Sequence, residues 1–239
     1  MAKLKFALAA LLAAAAVLVP VQLTAQAAPH APAAASQAAA SPNADGGSPT
    51  AAQLLAKTAN CKVVSKGTYT NTQANKKVNI CGATGAFFWT SGMNIDCDGQ
   101  RTTQCNENTD CCYQGDTSFH LANGKPLSAA VTPYVVIPLP SSRFNYGSNG
   151  IKGGDILAVI YKNQVEYAVF GDEGPNNIIG EASYATAKAL GINPDPSNGG
   201  TADPVTYIVF PGSKSGAIDD HNATVTKGRQ VASTFISKN

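Results

Sequence analysis

Apolar residues in this chain come in short runs broken by glycine, proline and asparagine, which is the pattern of a sheet protein with tight connections. Ile156 to Tyr161 is an unbroken apolar run and Val165 to Phe170 is rich in β-branched and aromatic types, so each reads as a strand. Lys162-Asn163-Gln164 between them is short enough for a hairpin, with Asn163 suited to positive φ. The second strand runs into Gly171-Asp172-Glu173-Gly174-Pro175, where the glycines and proline are expected to take the chain off the sheet and leave Asp172 at a strand end. Beyond it, Gly180-Glu181-Ala182-Ser183 leads into YATAKALGI, a helix closed by Gly191, with Glu181 and Ser183 at or just before its first turn.

The same reading predicts a short helix over 51–59, a strand near Ser118 to Leu121, a turn at Asn123-Gly124 and an apolar strand from Tyr134 to Leu139. Residues 143–154 read as a glycine-rich loop whose Phe144 and Tyr146 either stack on a ligand or pack down onto the core. Packing down is the simpler expectation. Residues 193–204 read as a loop, Val205 to Phe210 as a strand and Val225 to Ile236 as a final helix. The expected class is mainly β with a few helices.

The chain's beginning changes the domain count. Lys3 and Lys5 precede an apolar core from Phe6 to Val19, and Ala25-Gln26-Ala27 supplies a small-residue cleavage pattern, so residues 1–27 read as an export signal. The apolar run is shorter than the roughly 20 residues that a membrane span requires. Residues 28–50 are almost wholly Ala, Pro, Ser, Gly and Asn and read as a disordered spacer. Residues 51–239 remain as a single domain of ordinary size. It is expected outside the cell, as a monomer, with no membrane attachment once the signal is removed.

Export also changes the charge balance. The full chain has 17 Lys plus Arg against 15 acids, and removing Lys3 and Lys5 leaves fifteen of each, so no global basic field remains to attract nucleic acid. Locally the charge is uneven, with residues 96–116 at net −4 and residues 155–181 also at −4. All six cysteines lie between Cys61 and Cys112, and an even count in an exported chain predicts three disulfides pinning the loop-rich segment 90–116. A direct Cys111–Cys112 bond is disfavoured by its strained eight-membered ring.

For chemistry, neither a GxSxG elbow nor a Cys-His arrangement is present, and His30 falls in the spacer. No phosphate-binding glycine motif appears, and the cysteines lack the CxxC spacing of a zinc site. Asp96, Asp98, Gln100, Thr102 and Glu107 fit a calcium-loop count, but Arg101 stands where that loop needs glycine. No cofactor and no metal are therefore expected. Two carboxylates, Asp172 and Glu181, nine positions apart around a Gly-Pro loop, remain as a pair able to face one another across a cleft, with one donating a proton and the other activating water.

Gly171-Asp172 and Gly174-Pro175, followed by IGEAS and an alanine-rich helix ending LGI, resemble the second half of a six-stranded double-psi β-barrel. More specifically, NIDCDG at 94–99, DTSF at 116–119, PYVVIP at 133–138, AVFGD at 168–172 and IGEAS at 179–183 together resemble the fungal-type chitosanases, glycoside hydrolase family 75, over about residues 81–212. The resemblance implies a double-psi β-barrel-like single domain that hydrolyses β-1,4-linked glucosamine with inversion, and it implies Asp172 and Glu181 as the essential pair. It further implies Asp96, Asp98 and Glu173 as acids binding the cationic polysaccharide chitosan. The chain departs from the family's longer Asn/Asp-rich loop in having the short GDEGPNN. The same barrel also hosts non-catalytic wall-binding modules and peptidoglycan lytic enzymes.

Overall fold

The computed structural model describes residues 47–239. The export signal at 1–27 and the spacer up to residue 46 lie outside the described residues.

The amino-terminal part is a set of short elements: helix α1 (Ala51–Ala56), β1 (Lys62–Val63), β2 (Tyr69–Asn71), β3 (Lys76–Val78) and β4 (Cys81–Ala83). Helix α1 starts at a Thr50/Gln53 capping box and ends three residues earlier than the composition suggested. The barrel follows, with β5 (Ala86–Asp96), β6 (Tyr134–Pro138), β7 (Ile156–Tyr161), β8 (Gln164–Gly174), β9 (Glu181–Ser183) and β10 (Thr201–Phe210). Helix α2 (Tyr184–Ala189) is capped by the Ser183 side chain, and α3 (His221–Lys238) by that of Asp220.

The six barrel strands close in the order β5-β10-β7-β8-β6-β9 and back to β5. Closure depends on β9, whose three residues pair in parallel with β5 and whose first two pair antiparallel with β6. A second parallel pairing joins β6 to β8. The interior is filled by alternate residues of the wall, among them Met93, Val135, Leu157, Phe170 and Ala182, with Trp89 stacked on Tyr207 at 5.2 Å. The unbroken apolar run of β7 is buried on both faces because Ile156, Ala158 and Ile160 point outward beneath α3. Gly228 lets α3 approach closely there, since a Cβ at that position would meet the Tyr167 ring at 2.4 Å.

Several expectations are corrected. The hairpin's positive φ falls on Lys162, not Asn163. No strand forms at Ser118–Leu121, where His120 makes only an isolated bridge to Pro126. Strand β10 starts at Thr201 and tolerates Pro204 beside an irregularity in its pairing with β5. Phe144 and Tyr146 do pack down, against Phe87 and Phe170 respectively. There are two disulfides, not three. Cys61–Cys81 ties the approach to β1 onto β4, and only Cys97–Cys105 lies in the segment it was expected to pin. Cys111 and Cys112 are exposed and unbridged, with their sulfurs 2.8 Å apart.

Candidate active site

The largest correction concerns β8. Its chain does not leave the sheet after Phe170 but stays paired with β6 through Gly174. The register steps between Val135↔Phe170 and Val136↔Asp172, so one extra residue, Gly171, is accommodated as a bulge. Glycine is required there because a Cβ would meet Tyr134 Cβ at 2.5 Å and Leu127 Cδ1 at 2.7 Å. The bulge has a consequence for chemistry. Without it Asp172 would pair with Ile137 and point into the barrel; with it Asp172 shares the outer face with Val136.

Glu181 reaches the same face from the other side. It is the first residue of β9, not part of α2, and its register partners are Val136 on β6 and Asn94 on β5. Two residues further along β5, Asp96 pairs with Ser183 and therefore also faces outward. Gly174 of β8 leaves room for the glutamate, since a Cβ there would lie 3.1 Å from Glu181 Oε2 and 2.9 Å from Val136 Cγ1. Asp172, Glu181 and Asp96 thus come together over β6 on the outside of the barrel, where the long excursion between β5 and β6 folds back across them.

That excursion fixes the acids. Ser118, from the DTSF stretch, donates to Asp172 Oδ1 from both its backbone N–H (2.8 Å) and its hydroxyl (2.7 Å), and the Glu173 N–H adds a third bond at 2.8 Å. All three bonds accept on one oxygen, and Asp172 is only 5% exposed. Asp96 Oδ1 accepts from the Asp98 N–H at 2.7 Å, closing the turn that carries Gly99. Gly99 sits at φ +103° against the Leu127 carbonyl, a place with no room for a Cβ. Asp98 Oδ1 accepts from the Gln114 N–H at 2.6 Å. The Tyr134 hydroxyl lies 3.2 Å from Asp96 Oδ1 and 3.0 Å from the Asp98 carbonyl.

Asp96, Asp98 and Asp172 each offer an oxygen within 4.8 Å of the others. Among the described residues none of these acids, nor Glu181, forms an ion pair with a basic side chain. Glu107, the last member of the calcium-loop count, is instead paired with Arg101 at 2.7 Å. Crowding shows in the titration of the group. Burial, and then the charges of Asp98 and Asp172, push Glu181 up to about 7. Burial raises Asp98 to about 6 against the opposing Gln114 hydrogen bond, with Asp172 and Asp110 adding to the rise. Asp96 is held well above the usual carboxylate range, mainly by desolvation and then by Asp98.

Glu173 does not join this cluster. It pairs with Ile137, points to the opposite face of β8, and accepts a short hydrogen bond from the Tyr146 hydroxyl. Sequence reasoning also passed over Ser118 and Tyr134 as functional residues. The DTSF and PYVVIP stretches had marked both positions, but nothing in their spacing says that they meet Asp172 and Asp96.

The fold and site define a closed-barrel protein with a cluster of carboxyl groups on its outer wall, several of them raised by burial. Residues 93–237 match the family model described as fungal chitosanase of glycosyl hydrolase group 75, and the chain belongs to this family. It is similar to a protein named endo-chitosanase C from Aspergillus oryzae, with 34% identity over 177 residues covering 70% of this chain and 44% of that one. It is also similar to an endo-chitosanase from Aspergillus fumigatus, with 32% identity over 165 residues and coverage of 62% and 69%. The chain therefore spans less than half the length of the first of these relatives and about two thirds of the second.

Proposed function

We propose that this chain is a secreted endo-chitosanase that hydrolyses β-1,4 bonds between glucosamine units with inversion at the anomeric carbon. The observation that carries the reading is the position of Asp172 and Glu181 on one face with a single strand between them. Two strand spacings set their Cα atoms about 9–10 Å apart. Side chains leaning into the cleft from that separation suit the roughly 6.5–9.5 Å between carboxyls that leaves room for an attacking water.

Glu181, protonated up to about pH 7, acts as the general acid and gives its proton to the leaving glycosidic oxygen as the C1–O bond breaks. Asp172 takes a proton from the water that attacks C1 from the opposite side. Its Oδ1 is filled by three donors, which leaves Oδ2 for that task. Proton exchange with solvent then resets both groups. Asp96 and Asp98 bind the ammonium groups of the substrate, and the absence of a paired lysine or arginine among the described residues supports a cleft that seeks cations. The balanced charge of the exported chain gives no reason to invoke nucleic acid, and the enzyme is read as a monomer working outside the cell. The reading is tested by incubating the protein with chitosan, cellulose and peptidoglycan. Reducing ends should appear from chitosan alone; release from peptidoglycan alone would assign the barrel to lytic chemistry, and release from none would make it a binding module.

A further inference from the structure

Outside the acid cluster lies an open groove of about 470 Å³, within the range typical of small-ligand sites. One wall is the loop at 193–198 between α2 and β10, and the other is the segment at 104–109. Both walls are built firmly. Asp195 Oδ1 accepts from the N–H groups of Ser197 (2.8 Å) and Asn198 (3.1 Å), and the Gly199 N–H returns to the Asp195 carbonyl at 2.7 Å. The facing segment is held by the Cys97–Cys105 bridge and by Asn106, whose amide donates to the Thr102 carbonyl at 2.8 Å. The Ser197 hydroxyl ties the two walls together by donating to the Thr109 carbonyl at 2.6 Å.

Tyr184 lines this groove. It follows Glu181 by three residues and packs against the cluster containing Tyr134 and Val136, the strand over which Asp172 and Glu181 meet. Tyr184 thus links the groove to the strand over which the acid cluster forms. Its lining combines the ring of Tyr184 and the faces of Pro194 and Pro196 with the amides of Gln104 and Asn198 and the carboxylate of Asp195. Apolar faces for the C–H side of a pyranose, amides for its hydroxyls and an anion for its amine are what a glucosamine unit requires. Among the described residues no basic side chain pairs with Asp195.

Resting on the chitosanase reading, we propose that this groove is a glucosamine subsite remote from the cleaved bond, in which Tyr184 supports the sugar ring and Asp195 takes its ammonium. It would make the protein prefer long chains, since only these reach from the acid cluster into the groove. The test is calorimetry on Glu181→Gln, which prevents turnover, alone and combined with Asp195→Asn or Tyr184→Leu, titrated with glucosamine trimer and hexamer. Asparagine keeps the acceptor that caps Ser197 and Asn198, so Asp195→Asn removes charge without removing the loop's fastening. Hexamer affinity should fall about fivefold to tenfold in the Asp195→Asn form while trimer affinity stays the same, and 0.5 M salt should shrink the difference. Tyr184→Leu, checked for an unchanged melting temperature, should have the same selective effect. Equal hexamer affinity with and without Asp195→Asn overturns the subsite and leaves the chitosan reading standing. If Glu181→Gln binds neither oligomer, both fall together.

Discussion

Asp172 on β8 and Glu181 on β9 are both register partners of Val136 on β6, so the two carboxylates stand on one face of the barrel wall with one strand between them. They come from opposite sides of the GDEGPNNIIGE stretch, and sheet pairing, not the loop itself, brings them together.

If these two groups are the acid and the base, Asp172→Asn and Glu181→Gln should each reduce kcat on chitosan by orders of magnitude with little change in fold or in substrate binding. NMR of the first-formed reducing end should show the inverted α-anomer. Retention of the β-anomer, or near-wild-type turnover by either variant, would falsify the assignment.

The rise of Glu181 to about 7 has a predicted kinetic signature. An acid catalyst is active while protonated, so kcat/KM should fall as pH increases through about 7. Asp98 is the first neighbour whose charge contributes to that rise, after burial itself. Asp98→Asn should therefore move the alkaline limb to lower pH. The substrate's own amines titrate identically with both proteins, so the displacement between the two profiles reports on Glu181. The same variant should raise KM, an effect that added salt should imitate in the wild type. Superimposed profiles would remove Asp98 from the cluster's electrostatics.

The two glycines of GDEG should fail in different ways. Gly171→Ala drives a methyl into Tyr134 and Leu127, and should cost about 1–3 kcal/mol of stability, read from denaturant midpoints. Gly174→Ala meets a Val136 methyl at 2.9 Å and the Glu181 carboxylate at 3.1 Å, a milder overlap than the 2.5 Å and 2.7 Å at Gly171. It should lower kcat substantially with a much smaller stability loss. The reverse ranking would contradict the bulge argument.

Much of the barrel was legible because its strands obey simple rules. β6, β7 and most of β8 are apolar, β-branched and aromatic, and the Ser183 cap and Gly191 bracket α2 where composition indicated. What could not be read was the behaviour of Gly171-Asp172-Glu173-Gly174. Glycines that locally signal a turn are here used for a bulge and for close packing, and only the parallel partner β6, some thirty-five residues earlier, reveals it. The choice between Asp172 and Glu173 as a cleft residue depends on that one-residue shift, so Glu173 was grouped with the cleft although it faces Tyr146. Ser118 went unrecognised for the same reason, since its contact with Asp172 spans 54 residues. The pairing of the cysteines could not be read, since it depends on where β1 and β4 meet, and Cys111 and Cys112 stay unbridged.

A last prediction concerns stability and pH, and its sign is opposite to that of most proteins. A carboxylate stabilised by a salt bridge has a depressed folded-state pKa and makes the fold stronger as pH rises. Here Glu181 and Glu166 are raised to about 7 and Asp98 to about 6, each chiefly by burial. Folded, these groups hold protons that the unfolded chain releases near pH 4. Between about pH 4 and 7 the native state thus binds more protons than the unfolded one, and unfolding free energy should decline as pH increases across that window, then level off above it. Glu166 lies near the start of β8, paired with the inward-facing Val159 and away from the acid cluster, where His221 Nε2 at the start of α3 is 3.3 Å away and is itself pushed down by burial. Its share can therefore be separated from that of the cleft. Glu166→Gln and Glu181→Gln should each flatten the decline, and together should flatten it more, because the two sites share no partner. Melting temperatures measured from pH 4.5 to 8 in wild type, both single variants and the double variant test this. A melting temperature that rises steadily from pH 4.5 to 8 in the wild type would mean that these carboxyls are ionised in the folded protein, and would remove the protonated acid on which the proposed mechanism depends.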